Sequence, residues 1–196
     1  MKNDPIVLFC SPRGGSSLVA GIIRAHGVWV GRTFKGTDYE NHENADIKDF
    51  LKTHWKMTPG IPMGPADKAD LYHFCKSFIK HDDPWMFKVA VEYYPIFKGW
   101  FPHMTSVMVY RDRQNAIEGL VKRKGLNTRA EMTKHVNARY DYMDELMIAE
   151  PMAVAVSSDD VMEGDCDAIA EILSRYNIEF DRDVAAATLR PGIWTG

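Results

Sequence analysis

Residues 6–10, Ile-Val-Leu-Phe-Cys, run without a polar break into Ser11-Pro-Arg-Gly-Gly-Ser-Ser17, after which Leu18, Ile22, Ile23 and His26 recur at helical spacing. Successive side chains of a strand point to opposite faces, so an unbroken apolar run requires cover on both, as in a parallel sheet. Gly27 then suits the end of the helix. Buried strand, glycine-rich turn and helix in this order predict an α/β fold and aim backbone N–H groups at the positive end of the helix. A phosphate or sulfate fits such a turn.

The rest of the chain alternates in the same way. Residues 85–91, 106–110 and 152–156 read as further core strands, with Lys88 interrupting the first of them. Helical periodicity covers 45–54, 66–80, 95–100, 114–124, 128–149 and 166–176, whereas 57–65 is rich in Pro and Gly and reads as loop. The expected architecture is three-layered, a mostly parallel central sheet flanked by helices. With 196 residues and 22.3 kDa, one domain spanning 1–196 is expected. Right-handed crossovers leave the turns after the strands along one edge, where open α/β sheets bind ligands.

Charge narrows the partners. A formal charge of −3 and a pI near 6.2 give no general attraction for nucleic acid, so affinity for an anion has to come from a local set of donors. Cys10, Cys75 and Cys166 show neither a metal-ligand spacing nor a disulfide ladder, which suits a reducing compartment, and a cytoplasmic protein without a membrane span is expected. The histidines lack ligand spacing, so no metal is expected. Cys10 is not followed by the Arg of a phosphatase loop, because Ser16 stands six residues on. A buried thiol at a strand end is the better reading.

Within the loop, Arg13 precedes Gly14 and Gly15, and Ser16 and Ser17 open the helix with hydroxyl donors. The Walker A pattern would place Lys directly after the last glycine; Ser16 stands there instead. A second charged strand end follows at Ser106-Val-Met-Val-Tyr-Arg-Asp, where Arg111 sits between strand and helix. These two segments resemble the phosphate motifs of sulfotransferases that use 3′-phosphoadenosine 5′-phosphosulfate (PAPS). Phe87-Lys-Val-Ala-Val-Glu92 with Phe101-Pro102, and Val156-Ser-Ser-Asp-Asp-Val161, resemble further segments of that family in the same order. Gly27-Val-Trp-Val-Gly31 and Asn41-His-Glu-Asn-Ala-Asp-Ile47 look like its bacterial-type branch.

The resemblance implies a P-loop-like nucleotide fold in which Ser11, Pro12, Arg13, Gly14, Gly15, Ser16 and Ser17 cradle the 5′-phosphosulfate and Arg111 holds the 3′-phosphate. Arg13 is expected as an exposed donor to the 5′-phosphate and bridging oxygen. Gly119 occupies the position where the family carries a Ser against the 3′-phosphate, and Arg113 replaces its Pro, so a close backbone approach at Gly119 is expected instead. By the same resemblance Arg190 and Trp194 would close over the adenine or phosphates; ordinary packing of a C-terminal tail is their alternative reading. Sulfuryl transfer to a hydroxyl or amine of a small-molecule, carbohydrate or peptide acceptor needs a base, for which Glu43 is the candidate; a solvated carboxylate at a helix start is its alternative. Lys88 either reaches the sulfate or keeps its ammonium at the sheet's edge. Two other readings stay open: a nucleotide kinase or phosphotransferase without the usual lysine, and a non-catalytic binder of adenosine 3′,5′-bisphosphate.

Overall fold

A computed structural model describes residues 4–33, 42–54, 73, 84–124 and 128–189. Strands β1 (Ile6–Cys10), β2 (Met86–Ala90), β3 (Thr105–Tyr110) and β4 (Val154–Ser157) form one sheet in the order β2-β1-β3-β4. All three pairings are parallel, with Cys10 opposite Ala90 on one side and Val109 on the other. The expected α/β architecture is therefore present. Trp29 adds a parallel bridge to Trp85, so the chain leaving the first helix borders the start of β2.

Alternation along the strands builds two cores. Ile6 and Leu8 of β1 join Val107, Val109, Val154 and Val156 on one face, packed by helices α1 (Ser16–Ala25) and a later one through Ile169, Ile172 and Leu173. Val7 and Phe9 join Phe87, Val89 and Met108 on the other face, against Phe97 and Met143. Helices thus cover both sides of the sheet, and the apolar run of β1 is buried from Ile6 to Phe9, with Cys10 half-buried at the site edge. Phe9 packs edge-on to Tyr94 and Phe97, with ring centroids 5.1 and 6.4 Å apart.

The remaining helices are α2 (Ala45–His54), α3 (Tyr94–Trp100) after a 3₁₀ turn at Val91–Tyr93, α4 (Arg113–Lys124), α5 (Arg129–Ala149), α6 (Ser158–Met162), α7 (Asp167–Ser174) and α8 (Arg182–Thr188). Most boundaries differ from the sequence reading by one or two residues. Strand β4 begins two residues later than expected, because Pro151 and Met152 form a turn after α5. Two helices escaped the sequence reading, α6 and α8, both too short to show a period. Each is capped by an acceptor that could have signalled it: Ser157 accepts from the Asp160 N–H, and Asp181 from those of Asp183 and Val184. The expected loop at 57–65 lies outside the described residues, as does the helix at 66–80 apart from helical His73.

Candidate anion and nucleotide site

The strand order reverses direction between β1 and β3: from β1 the chain moves first to β2 and then back past β1 to β3. Such a switch point opens a crevice at the carboxyl ends of the two strands. The glycine-rich loop leaves β1 there, and Arg111 leaves β3 beside it. The two cationic strand ends share one edge of the sheet on adjacent strands.

Close packing explains both glycines of the loop. A Cβ on Gly14 would lie 2.9 Å from the Ser11 carbonyl oxygen, and one on Gly15 would lie 2.1 Å from Ser158 Oγ at the start of α6. Gly15 also holds φ at +78°, the left-handed region natural to glycine. The turn closes by a Gly14 N–H to Ser11 carbonyl bond of 3.0 Å. Ser11 is buried, and its hydroxyl has no hydrogen-bond partner among the described residues. Arg13 sits between the two serine-rich ends at φ +66°, an unusual conformation for a residue with a Cβ. It is half-buried rather than exposed as expected, because its stem packs on α4: a Cβ on Gly119 would lie 3.1 Å from Arg13 Nε and 3.5 Å from its Cβ and Cγ. The close approach at Gly119 is made by this side chain.

On the β2 side, Lys88 is deeply buried, and its ammonium donates to Ser17 Oγ at 2.8 Å. Glu43 Oε1 stands 3.7 Å from the same ammonium, and Lys48 donates to the other oxygen of Glu43. Burial lowers the Lys88 pKa, opposed by the nearby negative charge of Glu43. His42 lies over α1 against Gly21, with Nδ1 3.4 Å from Arg24. Burial, and then the positive charges of Arg24 and Lys88, push the His42 pKa down to about 4, which leaves a neutral imidazole at pH 7. Burial raises the pKa of the Cys10 thiol, so the thiolate of a phosphatase-type nucleophile is disfavoured.

On the β3 side, Tyr140 of α5 clasps the backbone of Arg111. Its hydroxyl accepts from the Arg111 N–H at 3.1 Å and donates to the Arg111 carbonyl at 2.8 Å. Asp159 of α6 accepts from the Asp112 N–H at 2.6 Å and lies 3.7 Å from Arg111 Nε. Asp112 in turn caps α4 through the Asn115 N–H. Arg113, where a proline was expected by resemblance, faces away to Asp141 and Asp144 and stacks its guanidinium 5.2 Å from the Tyr140 ring centroid.

Comparison with solved structures decides the fold. The chain is similar to the sulfotransferase domain of the Synechococcus PCC 7002 olefin synthase, at TM-score 0.60 and 15% identity over 100% of this chain and 80% of that one. It is likewise similar to the sulfotransferase domain of the curacin biosynthetic pathway, at TM-score 0.61 and 12% identity over 98% of this chain and 80% of that one. The chain has the sulfotransferase fold. No family model matches the sequence, and no curated protein matches it significantly.

Within this sulfotransferase fold, Ser11 to Ser17, Lys88 and Glu43 meet around the first loop, and Arg111 and Gly119 belong to the neighbouring strand end and its helix. Arg190 and Trp194 lie outside the described residues. Four partners of the site were not singled out from sequence: Lys48, Tyr140, Ser158 and Asp159. Ser158 and Asp159 did lie in the Val156-Ser-Ser-Asp-Asp-Val161 segment whose sequence resembles the sulfotransferases, whereas Lys48 and Tyr140 carried no such signal. Among the described residues no cluster of His, Cys, Asp and Glu is arranged to hold a metal ion, and no helix is long and apolar enough to cross a membrane.

Proposed function

We propose that the protein transfers a sulfuryl group from PAPS to a hydroxyl or amine acceptor. The observation that carries this reading is the placement of two cationic residues, Arg13 after β1 and Arg111 after β3, at the ends of adjacent parallel strands on either side of the switch point of a sulfotransferase fold. A donor with phosphate at two ends suits two separate cation sets on one edge. The buried Ser11 hydroxyl and the glycine-lined turn fit an anion lodged against the start of α1.

When bound, PAPS supplies the sulfuryl group: the acceptor oxygen or nitrogen bonds to sulfur as the bridging oxygen leaves with adenosine 3′,5′-bisphosphate. The chain's own part is positioning and charge stabilisation. Lys88, held by Ser17 and Glu43, presents an ammonium under the first turn of α1 and offsets charge building on the departing oxygens. Glu43 takes the proton that the acceptor loses. Gly14 and Gly15 let the loop close against the Ser11 carbonyl and Ser158, where a Cβ would clash, and so hold the tight turn at the start of α1 that receives the anion. Arg111, with its backbone held by Tyr140 and its guanidinium beside Asp159, grips the phosphate away from the reacting sulfur.

The deciding experiment is calorimetry with adenosine 3′,5′-bisphosphate, ADP and ATP, with and without Mg²⁺. The bisphosphate should bind without Mg²⁺ and about tenfold or more tighter than ADP, the difference of one charge-assisted contact. Preference for ATP with Mg²⁺ would instead establish the kinase reading. Binding of the bisphosphate with no consumption of PAPS across hydroxyl and amine acceptors would establish a silent binder.

A further inference from the structure

We propose that Glu92, held by Arg139 at the end of β2, binds the acceptor, and that the acceptor is a polyol: one hydroxyl attacks sulfur while a second donates to Glu92. The proposal rests on the PAPS reading of the site and names the substrate class that the reaction takes.

Glu92 lies in the 3₁₀ turn that follows β2, two residues beyond Ala90, which pairs with Cys10 at the end of β1. Arg139 of α5 donates to it through Nε at 2.6 Å, and its Nη2 stands 2.5 Å from the same oxygen, Oε1. Both contacts fall on one oxygen. The other, Oε2, is turned away from solvent and meets no hydrogen-bond donor among the described residues. A carboxylate oxygen shut from water without a donor costs free energy, so one kept at the rim of a site calls for a donor that arrives with a ligand. The Glu92 side chain is 34% exposed, so a small rotation about the Arg139 anchor presents Oε2 to the edge of the sheet.

Sheet order assigns this oxygen to the acceptor. The donor takes the loop after β1 and Arg111 after β3, which leaves the end of β2, on the far side of β1, for the group that attacks. Neighbouring residues of α5 brace both ends, since Tyr140 holds the Arg111 backbone while Arg139 holds Glu92. Besides its burial, the charges acting on the Cys10 thiol are those of Lys88, Glu43 and Glu92, so the three groups converge on the end of β1. Charge then selects the class. On the β2 side, among the described residues, the cations Lys48, Lys88 and Arg139 face the carboxylates Glu43 and Glu92. An ammonium would enter a region already positive, whereas a neutral hydroxyl makes a charge-assisted bond to Oε2 without that repulsion. Glu43 receives the proton of the reacting hydroxyl, so a second hydroxyl of the same molecule is the donor left for Glu92. Arg139, which fixes the direction of the carboxylate, is a positioning residue.

Steady-state kinetics on the full chain tests this with PAPS and three acceptors built on one ring: cyclohexanol, trans-cyclohexane-1,2-diol and trans-2-aminocyclohexanol. The diol should exceed the plain alcohol by about tenfold or more in kcat/KM, the worth of one hydrogen bond to a charged group, and should exceed the amino alcohol as well. Glu92→Ala should raise the KM of the diol about tenfold with a smaller effect on kcat, so that the ratio of diol to alcohol falls to near one, while the Kd of adenosine 3′,5′-bisphosphate stays within about twofold. Arg139→Met removes the anchor and should lower the same ratio, and Arg139→Lys should restore part of it. A thermal melt checks the fold of each variant. Should Glu92→Ala fail to fold, Glu92→Gln carries the decision, because it exchanges the charge-assisted bond for a neutral one and should lower the ratio several-fold. A folded Glu92→Ala that leaves the ratio intact, slows both alcohols alike, or weakens the bisphosphate overturns the assignment of Glu92. A wild type that prefers the amino alcohol, or takes the plain alcohol as readily as the diol, overturns the polyol class while transfer from PAPS stands. A wild type that binds the bisphosphate yet consumes PAPS with none of these, nor with a wider panel of hydroxyl and amine acceptors, defeats the transfer reading itself and the acceptor assignment with it.

Discussion

Ser158 presses its hydroxyl into the place where a side chain on Gly15 would begin, 2.1 Å from an ideal Cβ, and Gly15 itself stands at φ +78°. Gly15→Ala therefore combines a left-handed alanine with displacement of the α6 start, and should destabilise the chain by about 2 kcal/mol or more. Urea denaturation checks it: the midpoint should fall with the slope unchanged. The neighbouring Gly27 has nothing within 4 Å of its Cβ direction, so crowding does not constrain it and only its φ of +91° does. Sequence marks both as turn glycines and cannot tell them apart, because the distinction lies in what another element brings up against them. Arg13 shows the same limit: its charge and place in the loop were legible, its burial against Gly119 was not.

At the level of elements, the long helix α5 begins with a reciprocal cap. Thr128 accepts from the Glu131 N–H, and the Glu131 side chain accepts from the Thr128 N–H at 2.9 Å, a pattern readable from Thr-x-x-Glu. Those hydrogen bonds lower the Glu131 pKa. Thr128→Ala should cost about 1 kcal/mol of stability, measured by chemical denaturation, while bisphosphate affinity falls little because Tyr140 lies three turns further along α5. Strands and long helices were legible because burial on two faces or one stripe writes a period into the sequence. Short helices α6 and α8 contain too few residues to show one, so only their caps announce them. The functional weight of α6 was hidden as well: its Ser158 and Asp159 matter through contacts with Gly15, Asp112 and Arg111, which come from other parts of the chain.

For the molecule as a whole, His42 links acid to stability. Burial first, then Arg24 and Lys88, hold its folded pKa at about 4, below the ordinary value of 6.5. The unfolded chain therefore takes up the proton at higher pH than the folded one, and this contribution to stability is full above about 6.5 and lost as pH falls through about 4. His42→Gln should flatten the melting temperature against pH across that window, and an unchanged acid slope would show that other groups set it. What the residues determined alone was local: an apolar run that must be covered on both faces, a glycine turn that must expose N–H groups, and arginines at two strand ends. Only the tertiary structure decided that β1 lies between β2 and β3, so that Lys88 and Arg111 flank the loop and Arg13 finds Gly119. Periodicity reports which faces are buried, but strand order is set by the packing of crossovers between distant segments, and no single segment carries that information.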